Sequence, residues 1–114
     1  MSIDLDPIWK ALADETRRTI LDFLRTGPKP TTAIVEQFPD LSRFAVMKHL
    51  DVLDDAGLID RSKAGRTVTV RLRPGPMKEA MDWLKRYERF WTKSLDRLAD
   101  YAERKEAEAR KAAR

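Results

Sequence analysis

Two clusters of side chains could do chemistry. The first lies in LSRFAVMKHLDVLDDAGLI, Leu41 to Ile59, where Arg43, Phe44, Met47 and Lys48 are interleaved with Ala45, Val46, His49, Leu50, Val52, Leu53 and Ala56. Turned about 100° per residue, the second set gathers into one apolar arc. Phe44, Met47 and Lys48 point the other way, together with Asp51, Asp54 and Asp55. A short helix that only completes a core has no need to display a phenylalanine, a methionine and two cations. The second cluster runs from Asp60 to Arg73, where Arg61, Lys63, Arg66, Arg71 and Arg73 face the single acid Asp60. That local excess equals the net charge of +4 carried by the whole chain. Cations with apolar groups among them suit a polyanion, and nucleic acid is the partner class this pattern implies.

Other chemistries find little to work with. The chain has one histidine, no cysteine and no glycine-rich phosphate loop, so no catalytic constellation, thiolate metal site or disulfide framework is expected. The expectation is a non-enzyme with no cofactor and no metal. His49 falls inside the apolar arc, where a boundary histidine bonded to backbone is the plainer reading beside DNA contact or sensing. Asp51, Asp54, Asp55 and Asp60 read as a solvated face before they read as a site for a hard cation.

The elements that must hold these residues follow from caps and periodicity. Asp6 before Pro7 marks a helix start, and a short helix is expected from Pro7 to Ala13. Asp14 caps a second helix with Ile20, Leu21 and Leu24 on one side, stopped by Gly27, Pro28 and Pro30. Thr31 and Thr32 cap a third, with Ala33, Ile34 and Phe38 inward. Ser42 caps the fourth, Arg43 to Ala56, and Gly57 suits the left-handed residue that ends it, with Leu58 folding back on Leu53. Leu58 to Ser62 and Thr67 to Arg73 then alternate as two strands joined by KAGR, where Gly65 can take a positive φ. Val68, Val70 and Leu72 face inward.

After Pro74, Gly75 and Pro76, one long helix is expected from Met77 to Glu103, striped by Met77, Met81, Leu84, Tyr87, Trp91, Leu95 and Leu98 with Trp83 and Phe90 beside them. At about 1.5 Å per residue it would reach ~40 Å, longer than one small domain can cover. The same helix from a second copy is the natural cover. The interface expected for that homodimer is Ile8, Trp9, Leu84, Tyr87, Phe90, Trp91, Leu95 and Leu98. Trp83, Tyr87, Phe90 and Trp91 could instead line a pocket for an aromatic effector. The tail 104–114 is charged and alanine-rich, a fraying helix end. All of this fits one domain of 114 residues, with a core at 7–76. No secretory signal and no membrane span are expected, and a cytoplasmic location follows.

The stretches ALADETRRTILDFL, LSRFAVMKHLDVLDDAGLI and RSKAGRTVTVRL together resemble the arsenic-repressor (ArsR) family of bacterial dimeric transcriptional repressors, and the run from Lys48 to Ile59 followed by Gly65-Arg66 carries most of the likeness. The resemblance implies a mainly α fold with a small β-hairpin wing, a winged helix-turn-helix that dimerises through its terminal helices. Two sensor sites of the family have no counterpart. The third helix reads TTAIVEQF where metal-sensing members carry a cysteine pair, and the last helix lacks histidine. Relatives also have small polar residues in place of Phe44 and Met47, which implies a different base preference.

By that resemblance the segment 43–56 would enter the major groove of double-stranded DNA by its N-terminal half. Ser42 and the adjoining N–H groups would hold a phosphate, Arg43 a phosphate or guanine, and Lys48 a phosphate. Phe44 and Met47 would press on thymine methyls or backbone. Thr31, Thr32 and Gln37 would touch the other strand. At the wing, Lys63 and Arg66 would follow the minor groove, with Arg61 and Arg71 in electrostatic support. A protein-interaction module anchored by Phe44 and Met47, or a small-molecule-binding regulator, are the readings set beside this one. An effector is expected, with no chemical identity attached.

Overall fold

The computed structural model describes residues 4–113. The chain divides into two compact units, Met1–Ala80 and Met81–Arg114. The first unit begins with α1, Asp6–Leu12, which enters at Leu5 without a side-chain cap. Asp6 was expected to be that cap; it lies inside the helix, and its own N–H is taken by the Asp4 carboxylate at 3.0 Å. Helix α2, Glu15–Leu24, is capped by Asp14, whose side chain accepts from the Arg17 N–H. Two residues of extended chain, β1 (Lys29–Pro30), lead into α3, Thr31–Glu36. Helix α4 spans Arg43–Asp55, and the strands β2 (Ile59–Ala64) and β3 (Thr67–Leu72) close the hairpin.

The sheet has three strands in the order β1-β3-β2, both pairings antiparallel. Strand β1 was not anticipated: Lys29 and Pro30 read as helix-stopping residues, yet they pair with Val70 and Thr69. A proline is tolerated there because β1 lies at the edge of the sheet. Between β2 and β3 the turn is the two residues Gly65 and Arg66, with Gly65 at φ +63°.

One apolar core ties these elements together. Ile8 and Ala11 from α1, Ile20, Leu21 and Leu24 from α2, Ile34 from α3, Val46, Leu50 and Leu53 from α4, then Leu58, Ile59 and Val70 meet in it. Ala80 joins them from α5, Pro74–Lys85. The place of Ile8 corrects an expectation: it is 1% exposed, a core residue with no surface left for an interface. Trp9, half-buried, packs on the edge of the same core.

The α4 terminus is where local sequence and core meet. Leu58 N–H bonds Leu53 C=O at 3.0 Å and Gly57 N–H bonds Asp54 C=O at 2.8 Å, the paired bonds of a Schellman ending with Gly57 at φ +73°. Those bonds turn the chain so that Leu58 and Ile59 enter the core directly after Gly57.

In the second unit the long helix is broken. Helix α5 ends at Lys85 and α6 runs Glu88–Ala112. Arg86 and Tyr87 donate to Trp83 and Leu84 three residues back, a tighter turn than an α-helix, and Tyr87 then sits with its ring 5.1 Å from Trp83 and 6.5 Å from Phe90. Nothing in KRYE breaks a helix by propensity, so a single helix through 103 was the sequence expectation. Helix α6 continues beyond Glu103 to Ala112, with a Glu106–Arg110 pair one turn apart. Among the described residues no helix is long and apolar enough to cross a membrane.

Gly57 offers a direct test of how far this fold depends on one backbone conformation. A Cβ there would meet Pro76 Cγ at 3.3 Å in addition to the left-handed strain. G57A should lower stability by about 1–2 kcal/mol, seen as a fall of several degrees in the thermal midpoint followed by circular dichroism.

Candidate nucleic-acid interface

Helix α4 is held by one side and open on the other. Val46, Leu50 and Leu53 have no exposed surface, while Arg43, Phe44 and Lys48 face solvent, Phe44 at 71% exposure. Ser42 Oγ accepts the Ala45 N–H at 3.0 Å and fixes the first turn. Lys48 Nζ stands 5.1 Å from the Phe44 ring centroid, one turn along, so cation and ring brace each other as a unit.

The wing reaches the same region. Arg43 at the start of α4 and Arg66 at the hairpin turn line a single cleft together with Pro30, Thr31, Thr32, Thr67 and Val68. Two guanidinium-bearing residues and three threonines around one cleft, between helix and turn, are groups whose chemistry suits an anion. Lys63 and Arg71 are exposed on β2 and β3, and Gln37 is exposed at the end of α3.

Four residues grouped with the interface by sequence are employed elsewhere. Thr31 is buried and its hydroxyl donates to Val68 C=O at 3.3 Å, pinning α3 to β3 at the floor of the cleft, so its O–H is already committed. Met47 is half-buried, packed against the edge of the core, and is no exposed counterpart of Phe44. His49 Nδ1 lies 3.2 Å from Arg17 Nη1 and 3.8 Å from Asp14. Arginine only donates, so Nδ1 accepts and the ring proton rests on Nε2. The partner of His49 is therefore a side chain, where backbone was expected. Arg61 is held by two carboxylates, Asp51 Oδ1 at 3.0 Å and Asp54 Oδ2 at 2.8 Å. Burial works against the charge of Arg61, but the hydrogen bonds and the two negative charges outweigh it and raise its pKa above the ordinary value.

Sequence reasoning missed Arg17, which joins three helices. Its guanidinium donates to Lys10 and Ala11 carbonyls at 2.8 Å each, capping the end of α1, and also reaches His49 on α4. Arg18 adds a bond to Leu12 C=O at 2.8 Å. The signal was available: a cation in the first turn of a helix opposes the helix dipole, and it is explained when a partner lies at another helix's C-terminus. Asp14 is the base of the junction. The Arg17 N–H bond, aided by the charge of Arg17 and the Thr16 N–H, outweighs partial burial and holds the Asp14 carboxyl below the usual carboxylate range.

A core of short helices that presents one two-faced helix and a basic hairpin defines a winged helix-turn-helix protein. The comparisons agree. A helix-turn-helix domain family matches residues 12–62. The chain is 38% identical over 90 residues to the HTH-type transcriptional regulator Rv2034 of Mycobacterium tuberculosis, covering 79% of this chain and 80% of that one. It is 29% identical over 80 residues to the transcriptional repressor SdpR of Bacillus subtilis, covering 70% and 88%. Among solved structures it is similar to the ArsR family transcriptional regulator RHA00566, with 33% identity, a TM-score of 0.72 and coverage of 81% and 97%. The chain belongs to the ArsR family of transcriptional regulators: it is a DNA-binding regulator and not an enzyme.

The pH dependence of the junction has a definite sign. A carboxyl whose pKa is depressed on folding stabilises above its unfolded value, about 4, and that contribution fades as the pH falls through the lowered folded value. D14A should cost about 1 kcal/mol at neutral pH through loss of the cap. The gap between wild type and D14A, measured by urea unfolding, should narrow on acidification below about pH 4.

Proposed function

We propose that this regulator is a homodimeric repressor that occupies a two-fold symmetric operator, with residues 43–56 in the major groove and the wing, 61–71, along the flanking groove. The observation that carries this reading is the cleft shared by Arg43 and Arg66, with Thr32 beside them and the Phe44–Lys48 pair exposed nearby. A phosphate held in that corner would fix the duplex against helix and wing at once. Phe44 would then meet thymine methyls in the groove, while Ser42, Thr32 and Gln37 face the backbone and Lys63 and Arg71 add positive field. The name of SdpR supports repression as the outcome of binding.

The second unit supports dimerisation. Tyr87, Phe90, Trp91, Leu95, Leu98 and Tyr101 are all exposed, and α6 has no buried residue in the single chain. An apolar stripe of that length left open in water is an association surface, and the same stripe from a second copy matches it by symmetry. With Ile8 in the core, the proposed interface consists of these residues together with Trp9 and Leu84. Half-sites would then lie about one helical turn apart or a multiple of it. An effector would act by preferring the dimer that cannot bind DNA, with a coupling of typically about 1–3 kcal/mol.

Selection of bound duplexes from a random pool, repeated at two salt concentrations, tests the reading. An inverted repeat should be enriched, and affinity should fall steeply with salt. Because the two arginines share a phosphate, R43A and R66A should each weaken all sequences alike and reduce the salt slope by about one. Enrichment of no repeat, with salt-insensitive binding, would overturn it. For the dimer, the double variant L95D/L98D should sediment as a monomer under conditions in which the wild type sediments as a dimer.

A further inference from the structure

The second half of α4 presents a problem that the DNA-binding reading does not solve. Asp51 lies two turns beyond Phe44 and one turn beyond Met47 and Lys48, about 10 Å along the same line of the helix. A carboxylate in that line faces the phosphates of any duplex laid against Phe44 and Lys48. Asp54 is one turn further and Asp55 is exposed beside it. At ordinary ionic strength the screening length is about 8–10 Å, so two unpaired carboxylates there would repel the backbone.

Arg61 sits where that repulsion is cancelled. It projects from β2 with its side chain 24% exposed, and its three guanidinium nitrogens are all engaged: Nη1 with Asp51 Oδ1 at 3.0 Å, Nε and Nη2 with Asp54 Oδ2 at 2.8 Å. The planar guanidinium, shared between two successive turns of the helix, commits three of its five N–H donors to these acids, and lysine could not span both acids in this way. The same contact fastens β2, and with it the strand that leads to Lys63 and the Gly65-Arg66 turn, to the body of α4.

We propose that Arg61 is a positioning residue for DNA binding: paired with Asp51 and Asp54, it neutralises the C-terminal half of the recognition helix and lets the helix approach the phosphate backbone without itself touching DNA. The proposal rests on the DNA-binding reading above. It differs from a contact role in one decisive way, since the need for Arg61 should vanish when the two carboxylates are removed.

The test uses the full chain and a fluorescein-labelled duplex enriched by the wild type, with binding followed by anisotropy and folding of each variant checked by circular dichroism. R61L should bind about tenfold more weakly than wild type. D51N/D54N, which keeps Arg61, should bind at least as tightly as wild type. The triple variant R61L/D51N/D54N removes the cation together with the two carboxylates it pairs and should return to within about threefold of wild type. R61L that binds as well as wild type would sink the proposal while leaving the DNA-binding reading intact. A triple variant as weak as R61L would also sink it, because Arg61 would then be a direct contact. If R61L fails to fold, the comparison of the triple variant with D51N/D54N decides: equal affinity upholds the proposal, and a tenfold loss overturns it. A wild type that enriches no duplex would remove the reading on which the inference stands.

Discussion

Everything in the first unit follows from one constraint: α4 must be gripped firmly from behind while its front stays free. The grip is apolar. Val46, Leu50 and Leu53 recur at helical spacing and are fully buried, and each contributes about 1.5–3 kcal/mol relative to an exposed side chain. Apolar burial has no direction, however, and a helix held only by three such residues could roll or slide. What fixes its rotation and its axial position is polar and local. The Ser42 cap sets the first turn, the Gly57 ending sets the last, and His49 is tied from the side through Arg17 to the end of α1.

Charge is distributed along α4 to complement that geometry. Arg43 and Lys48 occupy the first half and three aspartates the second, so the helix offers a cationic end and an anionic end to anything lying along it. Acids near a helix C-terminus oppose its dipole, which makes Asp51, Asp54 and Asp55 doubly awkward. The guanidinium of Arg61 answers both difficulties, since it bonds two of the three acids and places a cation beside the last turns. The wing cations are thereby divided into two kinds. Arg61 serves the protein, whereas Lys63, Arg66 and Arg71 remain exposed.

Much of this was legible in the sequence, and the boundary of legibility has a physical meaning. Asp14, Ser42, Gly57 and Gly65 were readable because caps and left-handed turns depend on a residue and its immediate neighbours. The two-faced character of α4 was readable because periodicity is local too. Thr31, Arg61 and the His49 contact of Arg17 were not, because those roles are set by partners that only the fold brings near: Val68 for Thr31 and His49 for Arg17. Arg61 came nearest to being readable, since Asp54 is only seven residues earlier, but the chain reverses between them. Met47 was assigned to the open face by angle alone; a long flexible side chain at 100° from the centre of the buried arc can still fold its thioether over the core edge. Ile8 was misplaced for a related reason, since a seven-residue helix has too few apolar positions to show which side is inward.

The break at Arg86 and Tyr87 shows the limit from another direction. Propensity is continuous through KRYE, and the apolar positions Leu84, Tyr87, Trp91, Leu95 and Leu98 keep their 3-and-4 spacing across it, so pattern reading could only return one helix. The observed turn instead lets Tyr87 pack on both Trp83 and Phe90, and pairs of aromatic rings contribute about 0.5–1.5 kcal/mol beyond their burial. The disruption is one tight turn, a small local cost. A few ring contacts of that size are enough to offset it, and for this reason a helix interrupted without glycine or proline is invisible to any argument that weighs residues one at a time. The stripe beyond the break is unaffected. Trp91, Leu95 and Leu98 remain exposed along α6, so the break does not change which residues of the stripe lie open.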